Sequence, residues 1–332
     1  MSRWKVVFGW TAVLAAALFV LAGSAEALDK VNVRLDWVLR GNHAMFHVAK
    51  EKGYFKQNGI DVAKIDPGNG SQRTMKFVGG GQYPFGYGDL PTLATAKSKG
   101  VPVTSLVVVN QLSPMSFVTL ADSGIKKPKD IEGRKMGVFP AGSTRIFYLA
   151  FTKMVGIDRK KVKEVAVSFP YESYLLTKKV DAITGYLDAE IPILKAKAKI
   201  HIMQGAKYGY KGYGSGMLAA DDVIKKNPDL VRRFTRAYIQ GFVAVIKNAD
   251  EAVEILARYQ KKAPKKVWRA QLQADIDSSF MNEITKQRGL GWQTHDRWRE
   301  TQQILVDQSV IKSPVGVGTL YTNEFLKGAP KM

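Results

Sequence analysis

The chain has 332 residues, no cysteine and a formal net charge of +21, with 45% of its residues apolar. The missing cysteines exclude disulfides, thiolate metal sites, a cysteine nucleophile and a lipobox tether, so an exported form has only its core to hold it together. The basic balance invites a polyanion or nucleic-acid reading, yet the lysines are scattered, as in Lys195, Lys197 and Lys199 or Lys261, Lys262, Lys265 and Lys266. A solvated basic surface with no nucleic-acid partner is the expectation.

The first 27 residues set the compartment. Arg3 and Lys5 precede an apolar run from Val6 to Ala22, and Ala25 and Ala27 have the A-x-A spacing of a signal-peptidase site. Cleavage after Ala27 is expected. The alternative, an uncleaved N-terminal anchor, is weakened by Gly9 and Thr11 inside the run. No later stretch approaches the ~20 apolar residues of a membrane span.

Beyond the leader, short strands alternate with helices. Val31, Val33, Leu35 and Trp37 alternate with polar residues and predict a strand; 44–53 reads as a helix stopped by Gly53. A second strand at 61–65 ends in the turn cluster Asp66-Pro67-Gly68-Asn69-Gly70, and Ser71 opens a helix to about Val78. A strand at 85–87, a helix at 90–99 and a strand at 101–109 complete a βαβαβ order, which implies a parallel sheet covered by helices. A second α/β unit follows. Strands are expected at 117–120, 135–139, 162–167, 181–187 and 200–203, with helices at 144–155, 171–177 and 191–197. An extended run at 212–219 returns the chain toward the first unit. Asn227-Pro228 then caps a helix whose Leu230, Phe234, Tyr238, Phe242 and Ile246 recur every four residues as a core stripe. A shorter helix at 250–260 follows, and the remainder, with Trp268, Trp292 and Trp298, reads as helical and closing one lobe. The expected division is a leader at 1–27, one lobe from 28–115 plus 222–332, and a second lobe at 116–221. Ligands of open α/β sheets sit beyond the strands' carboxyl ends, so two facing lobes make a cleft and the crossing segments a hinge.

The pieces Leu35-Asp36-Trp37, Asn42-His43, Val48 to Phe55, Gly59 to Val62, Asp89-Leu90-Pro91, Gly100 to Val103, Ser123 to Asp130, Gly133 to Gly137, Val180 to Ala182 and Asn227 to Phe234 recur in order and spacing. In this the chain resembles the NMT1/THI5-like periplasmic binding proteins of ABC importers, to about residue 260. The resemblance implies a type II fold, two α/β lobes around a ligand cleft, and a permease partner in the membrane. It also implies a periplasmic monomer that needs no cofactor or metal and is not an enzyme. The Leu-Asp-Trp … Asn-His opening is similar to members that bind thiamine-type pyrimidine precursors; other members take sulfonates, nitrate, riboflavin or aromatic compounds. The sequence departs from the commoner Trp-x-Pro-Asn opening by placing Val38-Leu39-Arg40-Gly41 before Asn42, and it lacks the cysteine-rich motif of the family's eukaryotic pyrimidine synthases.

The candidate ligand residues follow from strand ends and helix starts. Trp37 can stack on a flat ring or serve as core. Asn42 and His43 open the next helix; His43 and His47 form an i,i+4 pair, for which a hydrogen bond from His43 to ligand is preferred to a metal, since no third ligand lies near. Gly142 and Ser143, between strand and helix, suit an anionic group through unpaired amides, or Ser143 is an N-cap. Ser71 occupies the same position in the first lobe, and Asp89 sits at the edge of the first lobe that corresponds to Glu190 in the second. Tyr186 and Glu190 end a strand; Glu190 can accept hydrogen bonds from an aminopyrimidine or simply favour a helix start. A flat nitrogenous ring is the first expectation. A sulfonate-, nitrate- or taurine-type or aromatic-acid anion is the second, and an exported Asp/Glu-based enzyme the least favoured. No nucleophile elbow or Ser/His/Asp spacing supports the enzyme.

Overall fold

A computed structural model of the chain describes residues 27–140 and 142–330. The leader, apart from Ala27, lies outside the described residues. Two five-stranded sheets organise the molecule. The first contains β1 (Asp29–Arg34), β2 (Ile60–Asp66), β3 (Phe85–Asp89), β4 (Val103–Val108) and β10 (Ser215–Ala220), in the order β2-β1-β3-β10-β4. The second contains β5 (Met115–Leu120), β6 (Lys135–Val138), β7 (Lys163–Ala166), β8 (Ala182–Tyr186) and β9 (Ile200–Gln204), in the order β7-β6-β8-β5-β9.

Each sheet repeats the other's plan. Three neighbouring strands are parallel, and the fourth is antiparallel to both of its neighbours. The expected purely parallel sheets are therefore corrected to mixed ones. The reversed strand in each sheet is the one the chain builds after crossing from the other lobe: β5 follows directly from β4, and β10 directly from the second lobe. A strand entering from the cleft side must run opposite to its neighbours. The crossing also moves a boundary, because β10 lies in the first sheet and the chain has returned by Ser215, before the expected 221/222 division.

Local chemistry explains the layers. Val31 and Val33 turn inward on β1 while Asn32 between them is half-buried, the period-2 pattern of a strand with one covered face. The helix Pro228–Lys247 starts where Asn227 accepts the Leu230 amide (3.1 Å) and lays Val231, Phe234, Tyr238 and Phe242 on the sheet. Phe234 stacks on Phe85 of β3 at 3.7 Å between ring centroids. The last long helix, His295–Asp307, touches both lobes, where a single lobe was expected. Its Trp298 and Leu305 join Leu90 and Leu93 in a first-lobe cluster, while Ile304 joins Phe147 and Tyr148 in a second-lobe cluster. Among the described residues no helix is long and apolar enough to cross a membrane.

The two crossings, 109–114 and 205–214, run side by side at the hinge. Asn110 ties them together: its amide donates to the Ser215 carbonyl (3.0 Å), its carbonyl accepts the Gly214 amide (2.9 Å), and its Oδ1 accepts the Ser215 amide (3.2 Å). A Cβ on Gly214 would meet the Asn110 Cβ at 2.6 Å and the Pro114 Cδ at 2.7 Å, so only glycine permits this approach. Gly214→Ala is expected to overpack the hinge and cost about 1–3 kcal/mol, read as a lower urea midpoint.

Candidate ligand cleft

The cleft is organised around one carboxylate. Asp36 follows β1 in a bend that the 66–70 turn holds from outside: Gly68 N–H donates to the Trp37 carbonyl (2.9 Å) and Gly70 N–H to the Asp36 carbonyl (2.6 Å). The Asp36 side chain is buried at 4% exposure and collects three donors. Arg40 Nη2 reaches Oδ2 at 3.0 Å, His43 Nε2 reaches Oδ1 at 3.0 Å, and Ser71 Oγ donates to Oδ2 at 3.3 Å. Burial alone would raise this carboxyl, but Arg40, His43 and Ser71 outweigh it and hold Asp36 below the usual carboxylate range. His43 is pulled the other way: burial lowers it, Asp36 only partly offsetting. Asp36 is thus the ionised partner of Arg40, and His43 a neutral donor.

A cavity opens beside this cluster, between the lobes. Asp36, Trp37, Arg40, Gly70 and Ser71 line it from the first lobe; Phe139, Gly142, Ser143, Thr144, Tyr171, Tyr186 and Glu190 line it from the second. The space is narrow, about 30 Å³, room for a water molecule or two and not for an aromatic ring. Trp37 closes one side. Its indole meets Phe139 (5.7 Å) and Phe169 (5.5 Å) of the second lobe edge to face, an aromatic contact across the cleft.

The second-lobe wall is polar where it meets Arg40. The guanidinium lies over the Tyr186 ring at 5.3 Å, and the Tyr186 hydroxyl donates to Ser143 Oγ at 2.5 Å. Glu190, the first residue of the helix Glu190–Lys195, folds back so that Oε2 accepts the Tyr186 amide at 2.9 Å, with Tyr171 beside it on the cavity wall. Burial pushes Glu190 up to about 6, against the lowering influence of Tyr171 and the Tyr186 amide. The helices Ser71–Gly79 and Ser143–Met154 both begin after a glycine with no side-chain cap, Gly70 and Gly142, and both of these uncapped starts line the cavity. Ser143 is therefore not the N-cap that one reading of the sequence made it.

Six expected residues, Trp37, Ser71, Gly142, Ser143, Tyr186 and Glu190, come together on the cavity wall. Asn42, His43 and Asp89 do not. Asn42 Nδ2 donates to Asp188 Oδ2 (2.6 Å), His43 supports Asp36, and Asp89 caps the helix Leu90–Lys97 through the Thr92 amide (2.8 Å). Each is buried against a protein partner, and burial lifts Asp89 to about 7. His47 turns Nδ1 to the His43 carbonyl (3.1 Å) and packs on Tyr259, so the i,i+4 imidazoles do not converge. Asp36, Arg40, Phe139 and Tyr171 were missed. Asp36 and Arg40 carried a signal, opposite charges four apart in an apolar stretch; Tyr171 and Phe139 carried none.

Truncating Arg40 would leave a buried carboxylate without its counter-charge. Arg40→Met is expected to destabilise the protein by about 3–5 kcal/mol, measured by chemical denaturation near neutral pH.

Comparison with known proteins agrees with this architecture. The family model described as NMT1/THI5 like matches residues 40–252. The chain is 26% identical over 326 residues to the formylaminopyrimidine-binding protein of Halalkalibacterium halodurans, covering 95% of this chain and 97% of that one. It is 25% identical over 309 residues to the riboflavin-binding protein RibY of Chloroflexus aurantiacus, covering 91% and 87%. Among solved structures, the putative periplasmic sulfonate-binding protein SsuA of Methylobacillus flagellatus superimposes with a TM-score of 0.65 at 20% identity, over 92% of this chain and 94% of that one. With two sheets of matching plan, two crossings and a cleft between them, the chain belongs to the NMT1/THI5-like family and has the two-lobed type II fold of periplasmic binding proteins.

Proposed function

We propose that this protein is the ligand-capturing component of an ABC importer, exported to the periplasm with its leader cleaved after Ala27, working as a monomer and handing its ligand to a membrane permease. The observation that carries this reading is the cavity itself. Residues from both lobes line it, so a ligand held there contacts both and stabilises the closed form, which is what a permease needs to distinguish loaded from empty. The lobes occupy 28–115 with 222–332 and 116–221, except that β10 belongs to the first.

The reading is a binding function without chemistry. Ser71 is hydrogen-bonded to Asp36, but Arg40 keeps that carboxylate a weak base. Ser143 accepts from the Tyr186 hydroxyl. Among the described residues no group of three or more His, Asp or Glu side chains is placed to hold a metal.

For the ligand, a flat nitrogenous ring of the thiamine-pyrimidine-precursor kind fits first. Trp37 and Tyr186 offer aromatic surface, and Glu190 offers a buried acceptor for an amino group or ring N–H. The lobes must part about the Asn110 hinge, or Trp37 must leave Phe139 and Phe169, before such a ring enters. The uncapped helix starts at Ser71 and Ser143, with Arg40 between them, favour a second reading, in which a sulfonate or carboxylate is the recognised group.

Isothermal titration of the mature protein with a 4-aminopyrimidine, an aliphatic sulfonate and an aromatic acid decides between them. Pyrimidine binding is expected, with Trp37→Ala and Glu190→Ala each weakening it about 10- to 100-fold, the loss of a charge-assisted or stacking contact. Sulfonate binding without pyrimidine binding would sink the ring assignment and leave the importer role. The pH profile adds a check. Glu190 has its carboxyl raised to about 6, so it gains its acceptor charge as pH rises through that value. Affinity for a ring that donates to it should increase from about pH 5 to about pH 7 in the wild type, and Glu190→Gln should remove that part of the increase.

A further inference from the structure

A second pair of carboxyl groups lies behind the cavity, and no part of the binding proposal uses it. Asp188 comes from the second lobe, two residues before Glu190. Asp275 comes from the helix Lys265–Ser278, whose Trp268 and Leu272 belong to the first-lobe core. Both side chains are fully buried, at 0% exposure, and the Gln271 to Ala189 hydrogen bond (3.0 Å) joins the residue one helical turn before Asp275 to the residue after Asp188. Each is half satisfied. Asp188 Oδ2 accepts from Asn42 (2.6 Å) and Asp275 Oδ1 from Asn110 (2.6 Å), whereas Asp188 Oδ1 and Asp275 Oδ2 have no donor. Two buried carboxylate oxygens without a donor demand a hydrogen.

The nearby positive charge is already committed to another carboxylate. Arg40 is the nearby cation and it already bonds Asp36. His43 is bonded to that same carboxylate and burial favours its neutral form. Tyr87 from β3 and Tyr238 from the helix Pro228–Lys247 face Asp275 as neutral phenols, held so by burial. With Asp36 and Arg40 cancelling, two ionised groups here would leave two uncompensated negative charges in the interior, which costs several kcal/mol.

We propose that Asp188 and Asp275 share one proton across the lobe interface, making a hydrogen bond that holds the closed form and is lost as pH rises. The place suits a latch. Asn110, the donor to Asp275, also joins the two hinge crossings. Beside the pair, Gln271 donates to the Ala189 carbonyl of the second lobe (3.0 Å) while accepting the Gly41 amide of the first (2.9 Å). Burial, and for Asp275 also the facing Asp188, raises both carboxyls above their ordinary range. When the lobes part, water reaches both and they return to ordinary acidity. The contribution to closure is therefore full below the ordinary carboxylate pKa of about 4 and disappears as pH climbs through the raised value of the closed pair. The inference rests on the fold and not on the identity of the ligand.

Small-angle scattering of the ligand-free mature protein from about pH 5 to about pH 9 tests it, with circular dichroism to follow folding. The radius of gyration of the wild type should rise with pH. In Asp275→Asn and Asp188→Asn an amide N–H replaces the shared proton, so each variant should keep the compact value across the range. A flat wild-type profile would overturn the proposal, as would variants that expand over the wild-type range. Unfolding of both variants would also overturn it, because an amide provides the donor that the proposal requires.

Discussion

A carboxylate taken out of water must be given back its lost hydrogen bonds and its counter-charge, and in this protein that requirement is concentrated at Asp36. Meeting it brings together Arg40 from the same bend, His43 from the next helical turn, Ser71 from the start of another helix, and the 66–70 turn that bonds the Asp36 and Trp37 carbonyls. The cavity wall of the first lobe is therefore pre-arranged. Trp37 projects toward the second lobe because its backbone is pinned from behind, and Arg40 lies over Tyr186 because its other face is bonded to Asp36.

The second lobe answers with a different distribution of polarity. Glu190 is raised by burial while Asp36 is lowered by its partners, so two carboxylates lining the same cavity are held in opposite regimes. That contrast gives the cleft one permanently charged, internally compensated side and one side whose acceptor strength varies near neutral pH. The uncapped helix starts at Ser71 and Ser143 add partial positive charge to the same space. A small molecule with a flat body, a donor edge and a polar substituent meets each of these in turn.

Most strands and helices were legible because their signals are local. Alternation at Val31 and Val33, the Asn227-Pro228 cap and the four-residue stripe through Phe234 and Tyr238 each depend on neighbours in sequence. The sense of β5 and β10 was not legible, since nothing in a strand's own residues says from which side the chain enters the sheet. The site divided in the same way. Trp37, Ser71, Gly142, Ser143, Tyr186 and Glu190 sit at strand ends and helix starts and were found there. Asn42, His43 and Asp89 sit at equally suitable positions, but their side chains are taken by Asp188, Asp36 and Thr92, partners that only folding brings near. Phe139 and Tyr171 lay at the ends of an expected strand and helix, with nothing in their own neighbourhoods to mark a cavity wall.

The sequence by itself determined the alternation of strands and helices, the two α/β units, the family and the absence of disulfide chemistry, because each follows from residue type and short-range spacing. Tertiary structure alone decided which polar groups face the cleft and which are spent on one another. Asn42 and Asp188 are 146 residues apart and Asn110 and Asp275 are 165 apart, yet each pair meets inside the lobe interface. Whether a buried carboxyl is free for a ligand, paired with arginine or holding a proton depends on the neighbours that packing assigns to it, and that assignment is a property of the fold as a whole.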